Sequence, residues 1–447
     1  MFQKTDSRFG NHIFWITILL SLTGYLMISY ITPRHDTIPL FLYYILLFAA
    51  YLFQYKSVSS EVRVRQVYLM GILFRLSLLL LVPNLSDDVY RFIWDGRLTA
   101  HGINPFTHPP AYFLSNPEFE EMGLTSSLYE LFSKNTHSSY PPFNQFIFAL
   151  SVILSPDSLF GSILVMRLLI IAFEIANIFL IKKLLTLYDI PQKRGLLYVL
   201  NPLVILELTG NLHFEVFMIF FLLLSLWYLH KSRFLTAGFA FGMSILAKLI
   251  PLMYLPFLWI RLGKKSGFLF VLASGGVIFM GFLPFLRIDP AEGFLSSLAL
   301  YFYKLEFNAS IYFIVRQIGY WITGYNIIYL AGPLLGFISF LLIIFFSSSS
   351  YVKNKSIIEI WMWLLMIYFA MTTTLHPWYI TTLLVLSIFT RYRFPVIWTL
   401  FIFFTYQGYT ETGYEPNYWL IGMEYLVVYG IMIREMKTAS IIQRQFD

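Results

Sequence analysis

A dense group of residues that could do chemistry occupies positions 86–97, where the sequence reads Ser-Asp-Asp-Val-Tyr-Arg-Phe-Ile-Trp-Asp-Gly-Arg. Asp87 and Asp88 are adjacent carboxylates, and Asp95 and two arginines follow them closely. An ionised carboxylate acts as a general base when it lies within hydrogen-bond reach of a hydroxyl. The set of charges is dense for helix capping alone, which favours a role in chemistry.

The spacing of the apolar residues predicts a helix over this group. Its apolar stripe is formed by Val89, Phe92, Ile93 and Ala100. Asp88, Arg91 and Asp95 share the neighbouring face at positions i, i+3 and i+7. We expect this helix to lie on the outer membrane surface, with Tyr90 and Trp94 at the depth of the lipid headgroups.

Capping is the alternative explanation for the start of this helix. Ser86 is a residue type that caps helices well, and Asp87 and Asp88 suit the positive end of the helix dipole. A cap, a dipole partner and an interfacial anchor would together explain much of the segment without catalysis. Both explanations stay open at the level of the sequence.

The composition decides which kind of fold must position these residues. Of 447 residues, 58% are hydrophobic and 12% are charged, against roughly 25% charged residues in a typical soluble protein. A single soluble core cannot hide so much apolar surface, so lipid must solvate much of it. The chain has no cysteine, which excludes disulfides, thiolate nucleophiles and Cys-ligated metals. The composition predicts a polytopic membrane protein.

The apolar runs predict an all-α bundle of about 13 to 14 transmembrane helices. The first run, 12–31, lacks the small-residue cleavage site of a signal peptide, and we predict that it is a retained span. The further candidates are 38–54, 66–83, 160–181, 195–212, 214–230, 234–248, 250–260, 268–286, 325–346, 357–374, 377–390, 395–410 and 418–433. Several of these runs are short or interrupted by proline, which could change the count by one or two.

The distribution of basic residues predicts that both termini are cytoplasmic. With the N-terminus inside, 21 of the 31 Lys and Arg residues fall in cytoplasmic segments and three lie within spans. The seven in outer segments are Arg34, Arg91, Arg97, Lys134, Arg287, Lys304 and Arg316. This excess inside is what the positive-inside rule describes. The net charge of +7 therefore reflects cytoplasmic loops and does not indicate nucleic-acid binding.

We interpret residues 1–447 as one membrane-embedded domain with two long outer loops, 84–142 and 287–324. The first loop holds seven of the 24 carboxylates in the chain. Within it, 102–110 has the composition of a turn. The apolar stretch 143–155 that follows is too short to span, and we expect it to form a re-entrant or surface helix. Loops this long in a membrane protein often carry function.

These segments resemble the polyprenyl-phosphate-sugar-dependent glycosyltransferases of the GT-C superfamily, in particular the mannosyltransferases that use polyprenyl-phosphate mannose. The resemblance covers about residues 85–380, and the ordered series of motifs is more specific than any one of them. The motifs are Ser-x-Asp-Val-Tyr, Trp-Asp-Gly-Arg, Gly-Ile-Asn-Pro, Tyr140-Pro141-Pro142, Asn201-Pro202, Gly210-Asn211-Leu212-His213-Phe214-Glu215, Lys248-Leu249-Ile250-Pro251, Phe307-Asn308-Ala309-Ser310-Ile311-Tyr312 and His376-Pro377-Trp378-Tyr379.

The resemblance implies a GT-C fold, a catalytic aspartate in the first large outer loop, and a lipid-phosphate-sugar donor that enters from the bilayer. Asp88 stands at the family's Ser-x-Asp position and is our predicted base, with Asp87 as the alternative. Arg91 and Arg97 either neutralise the donor phosphate or pair with the aspartates. Asp95 is grouped with them as a substrate-binding candidate.

The later motifs add further substrate-binding candidates. His213 and Glu215, where relatives often carry His-Asn-Asp, would hold the donor phosphate or a divalent cation, although His-x-Glu alone is a poor metal signature. Lys248 is either a snorkelling lysine or a phosphate ligand. His376 is either an ordinary residue of the aromatic belt or a phosphate or sugar contact. Arg316, on a predicted surface helix, is another phosphate candidate.

Three polar residues within the predicted spans and loops receive no functional role. Arg75 and Glu174 lie inside apolar spans, and we expect them to pair with other intramembrane groups. Asn308 begins an Asn-Ala-Ser glycosylation pattern, which is common by chance.

The leading hypothesis is a glycosyltransferase of the cytoplasmic (inner) membrane with its active site on the periplasmic or extracellular side. It would move a sugar, mannose by resemblance, from a polyprenyl-phosphate donor to a hydroxyl of a glycan or lipid-linked acceptor. Its partners would be these substrates and membrane lipid, without nucleic acid. The sequence requires no cofactor and is compatible with a divalent cation.

Two other classes of protein share this composition. A transporter or lipid flippase also has many spans, but such proteins often show inverted repeats. No repeat is evident in this sequence, and the polar residues cluster on one face instead of at the midplane. A structural or assembly subunit that binds a partner through its outer loop is the third reading, which loop composition does not exclude.

Overall fold

The computed structural model describes residues 8–132, 135–286, 290–411 and 413–444, so Lys134 and Arg287 lie outside the described residues. The described chain is helical, with two isolated β-bridges and no longer strand, which confirms the predicted all-α fold. The α-helices are α1 (Arg8–Leu26), α2 (Thr37–Ser57), α3 (Glu61–Leu76), α4 (Asp88–Ala100), α5 (Pro110–Leu114), α6 (Ser126–Phe132), α7 (Pro142–Leu154), α8 (Leu159–Leu187), α9 (Leu196–Val199), α10 (Pro202–Val204), α11 (Glu215–His230), α12 (Phe234–Ala247), α13 (Leu255–Phe282), α14 (Pro290–Tyr303), α15 (Ile311–Thr323), α16 (Ile328–Ser348), α17 (Ile357–Met371), α18 (Ile380–Ser387), α19 (Phe394–Phe401) and α20 (Tyr418–Arg444).

Within the described ranges, five helices are long and apolar enough to cross a membrane, and a bent pair would make a sixth. The five are His12–Ile31, Thr37–Ser57, Leu159–Leu187, Ile250–Phe285 and Ile328–Ser348. Shorter apolar helices of 10–17 residues cover several of the remaining predicted spans. Proline and turn residues divide those runs. Proline has no amide hydrogen, so it cannot donate the backbone hydrogen bond that continues a helix.

The predicted span 195–212 is not one helix. It consists of α9, α10 and a π-helical turn, Ile205–Gly210, and Pro202–Gly210 meets α11 at an angle of 113°. The side chain of Asn201 caps the start of α10 by accepting hydrogen bonds from the backbone amides of Leu203 and Val204. Irregular backbone at membrane depth is tolerated where protein surrounds it, and residues 203–217 are all buried.

A reversal at Gly263 divides the long helix α13. Gly263 has φ 74° and ψ 174°, which no α-helix contains. A Cβ built on Gly267 would lie 3.3 Å from the carbonyl oxygen of Trp259, whereas eight residues of straight helix would separate them by about 12 Å. The chain therefore folds back on itself here, as the separately predicted spans 250–260 and 268–286 require.

Two predicted helices pack against each other, one within the first outer loop and one directly after it. α4 starts at Asp88, and α7 covers the stretch that was expected to be too short to span. Their backbones approach closely at Gly96, where a Cβ would collide with the carbonyl group of Phe148 on α7. The ring of Phe92 stacks on that of Phe148 with centroids 4.6 Å apart. The predicted apolar stripe of α4 therefore packs against α7.

The position predicted for Trp94 is wrong. Its side chain is fully buried against Tyr129 and Phe132, which both lie on α6 and whose ring centroids are 6.3 and 5.7 Å away. α6 belongs to the same loop and covers the face of α4 that was expected to meet the headgroups. Tyr90, predicted at the same depth, is half-buried.

The expectation that Arg75 and Glu174 pair within the membrane is confirmed. Arg75 Nε lies 2.7 Å from Glu174 Oε2, and neither side chain has exposed surface. The Tyr198 hydroxyl donates to the other carboxylate oxygen, and Arg75 also donates to the carbonyl of Val199. This pair joins α3, α8 and α9, so it belongs to the scaffold.

Candidate functional site

The two adjacent aspartates at the start of α4 have different partners. The hydroxyl of Ser86 accepts a hydrogen bond from the backbone amide of Asp88 (3.3 Å), but the N-cap residue of α4 is Asp87, so the prediction that Ser86 caps the helix is wrong by one position. Asp87 Oδ2 lies 2.7 Å from Nη2 of Arg34, in the loop between α1 and α2. Asp88 Oδ2 accepts a hydrogen bond from the hydroxyl of Tyr140 (3.2 Å), just before α7. The two carboxylates therefore bind partners from different segments of the chain.

Tyr140 is a stable hydrogen-bond donor to Asp88. Burial raises the pKa of its phenol well above the ordinary value, and the carboxylates of Asp88 and Glu215 raise it further. The phenol therefore stays protonated near neutral pH. Its ring packs on Phe92 and Phe148, with centroids 4.8 and 5.6 Å away. The hydroxyl is thus held in place by both α4 and α7.

A buried hydrogen-bond network further along α4 holds the segment that carries Tyr140. Arg91 Nε lies 2.7 Å from Asp95 Oδ1, and the hydroxyl of Ser138 donates to Asp95 Oδ2. The side chain of Gln145 donates to the hydroxyl of Ser138 (2.9 Å) and to the carbonyl of Tyr140 (3.1 Å). Asp95 has no exposed surface. Arg91 and Asp95 therefore help to position the segment that carries Tyr140.

Arg97 holds a turn of the outer loop. Its guanidinium donates to the carbonyl of Gly123, which has φ 79°. A side chain on Gly123 would collide with that guanidinium. Of the two alternatives left open by the sequence, pairing with an aspartate therefore applies to Arg91, whereas Arg97 fixes the fold of the outer loop.

Glu215 and Lys248 form an ion pair between the first residue of α11 and the residue after α12. Lys248 Nζ contacts Glu215 Oε1 and lies 4.3 Å above the ring of Tyr379. The side chain of Glu215 is buried, whereas that of Lys248 is 22% exposed. The ammonium has three N–H donors and uses one on Glu215, so the part of it that faces outward can bind an anion. The ring of Phe214, the residue before Glu215, lies 5.3 Å from that of Phe92 on α4, which connects this pair to the helix of Asp88.

Two of the predicted histidines enclose one indole ring. The ring centroid of Trp378 lies 3.6 Å from that of His213 and 4.5 Å from that of His376, with interplanar angles of 19° and 5°. We call these three residues the histidine–tryptophan stack. His376 also contacts the ring of Phe307 (4.5 Å), whose backbone pairs with residues 373–375. His213 and Glu215 therefore face different partners, although one residue separates them.

Glu207 belongs to this site and was missed in the sequence. It lies in the π-helical turn Ile205–Gly210, is fully buried, and accepts hydrogen bonds from the Tyr406 hydroxyl (2.8 Å) and Asn211 (3.1 Å). His213 Nε2 lies 3.4 Å from its Oε2. Asn211 is followed by Leu212, which directly precedes His213 and has a left-handed φ of 60°. Strained backbone and π-helical turns cluster at functional sites.

Signals for the missed residues were present in the sequence. Glu207 is a carboxylate inside a predicted apolar span, the same signal that singled out Glu174. Arg34 was counted among the basic residues of outer segments but received no role. Glu207 lies between the Asn201-Pro202 and Gly210–Glu215 motifs, whereas Arg34 lies far from every motif and joins the site only through the fold.

Arg316 and Asn308 lie in a separate polar cluster around α15. Arg316 Nη1 pairs with Glu306, which also accepts a hydrogen bond from the Tyr312 hydroxyl (2.6 Å). The structure therefore does not group Arg316 with the other candidates. Asn308 is fully buried and donates to Glu424 on α20 (3.0 Å), so its side chain has no exposed position for a glycan.

The divalent cation that the sequence left open finds no cluster of ligands in the described part of the chain. There, no group of three or more His, Asp or Glu side chains could hold a metal ion. His213 and Glu215, the pair considered for a metal, are engaged by the histidine–tryptophan stack and by Lys248.

A family model described as Alpha-(1->6)-mannopyranosyltransferase, N-terminal domain, matches residues 21–263, which is more than half of the chain. The matched region runs from α1 to the reversal at Gly263 and contains Asp88, Glu215 and Lys248. His376 lies beyond it. No curated protein and no solved structure matches the chain.

Proposed function

Because this chain belongs to the alpha-(1->6)-mannopyranosyltransferase family, we propose that it transfers mannose from a polyprenyl-phosphate carrier to an acceptor hydroxyl on the outer face of the cytoplasmic membrane. The acceptor is a glycan or a lipid-linked glycan. Family and helices together make the chain a membrane-embedded glycosyltransferase. We propose in addition that the donor is lipid-linked and that the active site faces outward.

The observation that carries this proposal is the convergence of an aspartate and a cation from distant segments. Asp88 contacts Tyr140, and Glu215 binds Lys248. The ring of Phe214, the residue before Glu215, packs on Phe92 of α4 and Phe148 of α7, with centroids 5.3 and 4.9 Å away. A carboxylate base and a partly exposed ammonium are the two groups that transfer from a sugar phosphate requires. A donor already dissolved in the bilayer needs no nucleotide pocket.

In the proposed reaction, the acceptor oxygen attacks the anomeric carbon of mannose while the bond from that carbon to the phosphate oxygen breaks. Asp88 takes the proton of the attacking hydroxyl. The lipid monophosphate leaves with the bonding electrons, and Lys248 stabilises the negative charge that develops on it. Attack opposite the leaving group inverts the anomeric centre.

The outer orientation rests on the distribution of charge. The loop after α8 carries Lys193 and Arg194, and the turn before α12 carries Lys231 and Arg233. The chain crosses between these loops and the ends that carry His213 and Lys248. By the positive-inside rule, the basic loops face the cytoplasm and the candidate site faces outward.

The test is mannose transfer by the purified full-length protein in lipid nanodiscs. Labelled polyprenyl-phosphate mannose and labelled GDP-mannose are offered separately with an octyl α-(1→6)-dimannoside acceptor. We expect product from the lipid donor only, and a loss of roughly 100-fold or more in kcat for Asp88→Asn. The matched variant Asp157→Asn removes a carboxylate from the turn between α7 and α8 and should retain activity.

Three outcomes would count against this proposal. Transfer from GDP-mannose alone would overturn the lipid donor, and full activity in Asp88→Asn would remove Asp88 as the base. Movement of labelled lipid across the bilayer without any transfer would favour a transporter.

A further inference from the structure

An accessible ion pair lies directly beside the proposed base. The side chains of Arg34 and Asp87 are 29% and 41% exposed, respectively. The other ion pairs of the site are more enclosed, since Asp95 and Glu215 are buried. Asp87 immediately precedes Asp88 at the start of α4, so the pair lies next to the proposed base.

The C-terminal part of the chain positions Arg34. Its guanidinium lies 4.8 Å above the ring of Tyr409, and the backbone of Tyr409 forms a β-bridge with Tyr414. The amide of Tyr409 donates to the carbonyl of Tyr406, whose hydroxyl binds the buried Glu207. A guanidinium held against an aromatic ring keeps a rigid, planar set of donors. Arg34 is therefore better fixed than an ordinary surface arginine.

The chemistry of the pair selects a neutral ligand with hydroxyl groups. Asp87 compensates the charge of Arg34, so the pair attracts a phosphate less than a lone arginine would. The carboxylate accepts hydrogen bonds and the guanidinium donates them, whereas each sugar hydroxyl can do both. Neighbouring hydroxyls on a sugar ring match these two groups together.

We propose that Arg34 and Asp87 form the binding site for the acceptor sugar and hold it by neighbouring hydroxyls, so that another hydroxyl of the same molecule reaches Asp88. This inference rests on the proposed function and adds to it the recognition of the acceptor. It also assigns different roles to the two adjacent aspartates: Asp87 binds, and Asp88 takes the proton.

The test compares steady-state kinetics of the full-length protein and of Arg34→Gln and Asp87→Asn in nanodiscs. The donor is polyprenyl-phosphate mannose and the acceptor is octyl α-(1→6)-dimannoside. We expect the KM for the acceptor to rise roughly ten- to a hundredfold in each variant, because each loses a hydrogen bond to a charged group. The KM for the donor should stay within about twofold.

Lys355→Gln is the matched control for loss of an ion pair. It removes the Lys355–Glu359 pair (3.7 Å), which lies at the start of α17 and outside the site. We expect both KM values to be unchanged in this variant. Thermal unfolding of all variants is measured in parallel, because a half-exposed ion pair should contribute little to stability.

A panel of monodeoxy dimannosides separates recognition from a structural role. Removing the hydroxyl that Asp87 binds should raise the acceptor KM of the parent protein, whereas Asp87→Asn should lose little more with the same compound. Additive losses for every deoxy compound would overturn the proposal. Equal increases in donor and acceptor KM, together with a lower unfolding temperature, would also overturn the proposal. Such a result would show that the ion pair only stabilises the loops.

The remaining outcomes distinguish the two levels of inference. Unchanged acceptor KM in active Arg34→Gln and Asp87→Asn would overturn the acceptor site alone. A large loss of kcat in Asp87→Asn with unchanged KM would make Asp87 the base and overturn the division of roles. No transfer by the parent protein would overturn the proposed function, and the acceptor site with it.

Discussion

The side-chain amide of Asn144, on the first turn of α7, donates a hydrogen bond to the carbonyl of Ala247 at the end of α12 (2.9 Å). Both groups are buried. Asn144 follows Tyr140 by one turn of chain, and Ala247 immediately precedes Lys248. This bond therefore sets the spacing between the segment that binds Asp88 and the segment that carries the cation.

Replacing Asn144 tests whether this spacing matters for transfer. Asn144→Ala leaves a buried carbonyl without its donor, which should cost about 1–3 kcal/mol of stability. We expect kcat to fall roughly tenfold, since reacting groups must stay close to their productive geometry. Gln54→Ala, which removes a similar buried amide between α2 and α1, should lower the unfolding temperature without this effect on kcat. Equal kcat losses in both variants would contradict the prediction.

Lys248 and Glu215 can be tested as a pair. Lys248→Gln leaves the buried Glu215 carboxylate without its cation and should destabilise the protein by about 3 kcal/mol. In the double variant with Glu215→Gln, two neutral side chains face each other, and most of the stability should return. Transfer should stay at least about 100-fold below the parent rate, because the leaving phosphate still lacks its cation. Recovery of both stability and transfer would show that the pair is structural.

Tyr140 should influence the pH dependence of transfer. Tyr140→Phe removes the donor to Asp88 and so destabilises its ionised form relative to the protonated form. The acid limb of the kcat profile should therefore move upward by about one pH unit, the equivalent of a hydrogen bond to a charged group. Because the pKa of Tyr140 is raised well above its ordinary value, the phenol itself should add no alkaline limb below about pH 10. Tyr68→Phe, at a hydroxyl bound to the carbonyl of Gln192, should leave the profile unchanged.

Gly96 should tolerate no side chain. Gly96→Ala places a methyl group against the Phe148 carbonyl, so α4 and α7 must separate, at a cost of about 1–3 kcal/mol. We expect a lower unfolding temperature and reduced transfer, because the separation also displaces Asp88 from Tyr140. Gly275→Ala adds a methyl group to α13 where no atom lies within 4 Å, and its stability should be unchanged or slightly higher. Normal stability in Gly96→Ala would show that the helices can adjust.

The sequence alone determined the class of fold and the position of the local elements that carry the site. Apolar runs in lipid must form helices, because their backbone groups find no other hydrogen-bond partners there. The helix of Asp88 and the short helix α7 follow from patterns within about 15 residues. Such local patterns predict a helix without information about distant parts of the chain. The order of the motifs also identified the family.

Only the tertiary structure decided which partner each charged group has. Asp87 binds Arg34 from the α1–α2 loop, and Glu215 binds Lys248 across 33 positions. The burial of Trp94 depends on α6, which follows it by about 30 residues. Glu207 accepts a hydrogen bond from Tyr406, which is 199 residues away. Side-chain pairing and burial depend on which faces of distant helices meet, and the periodicity of a single segment carries no information about that.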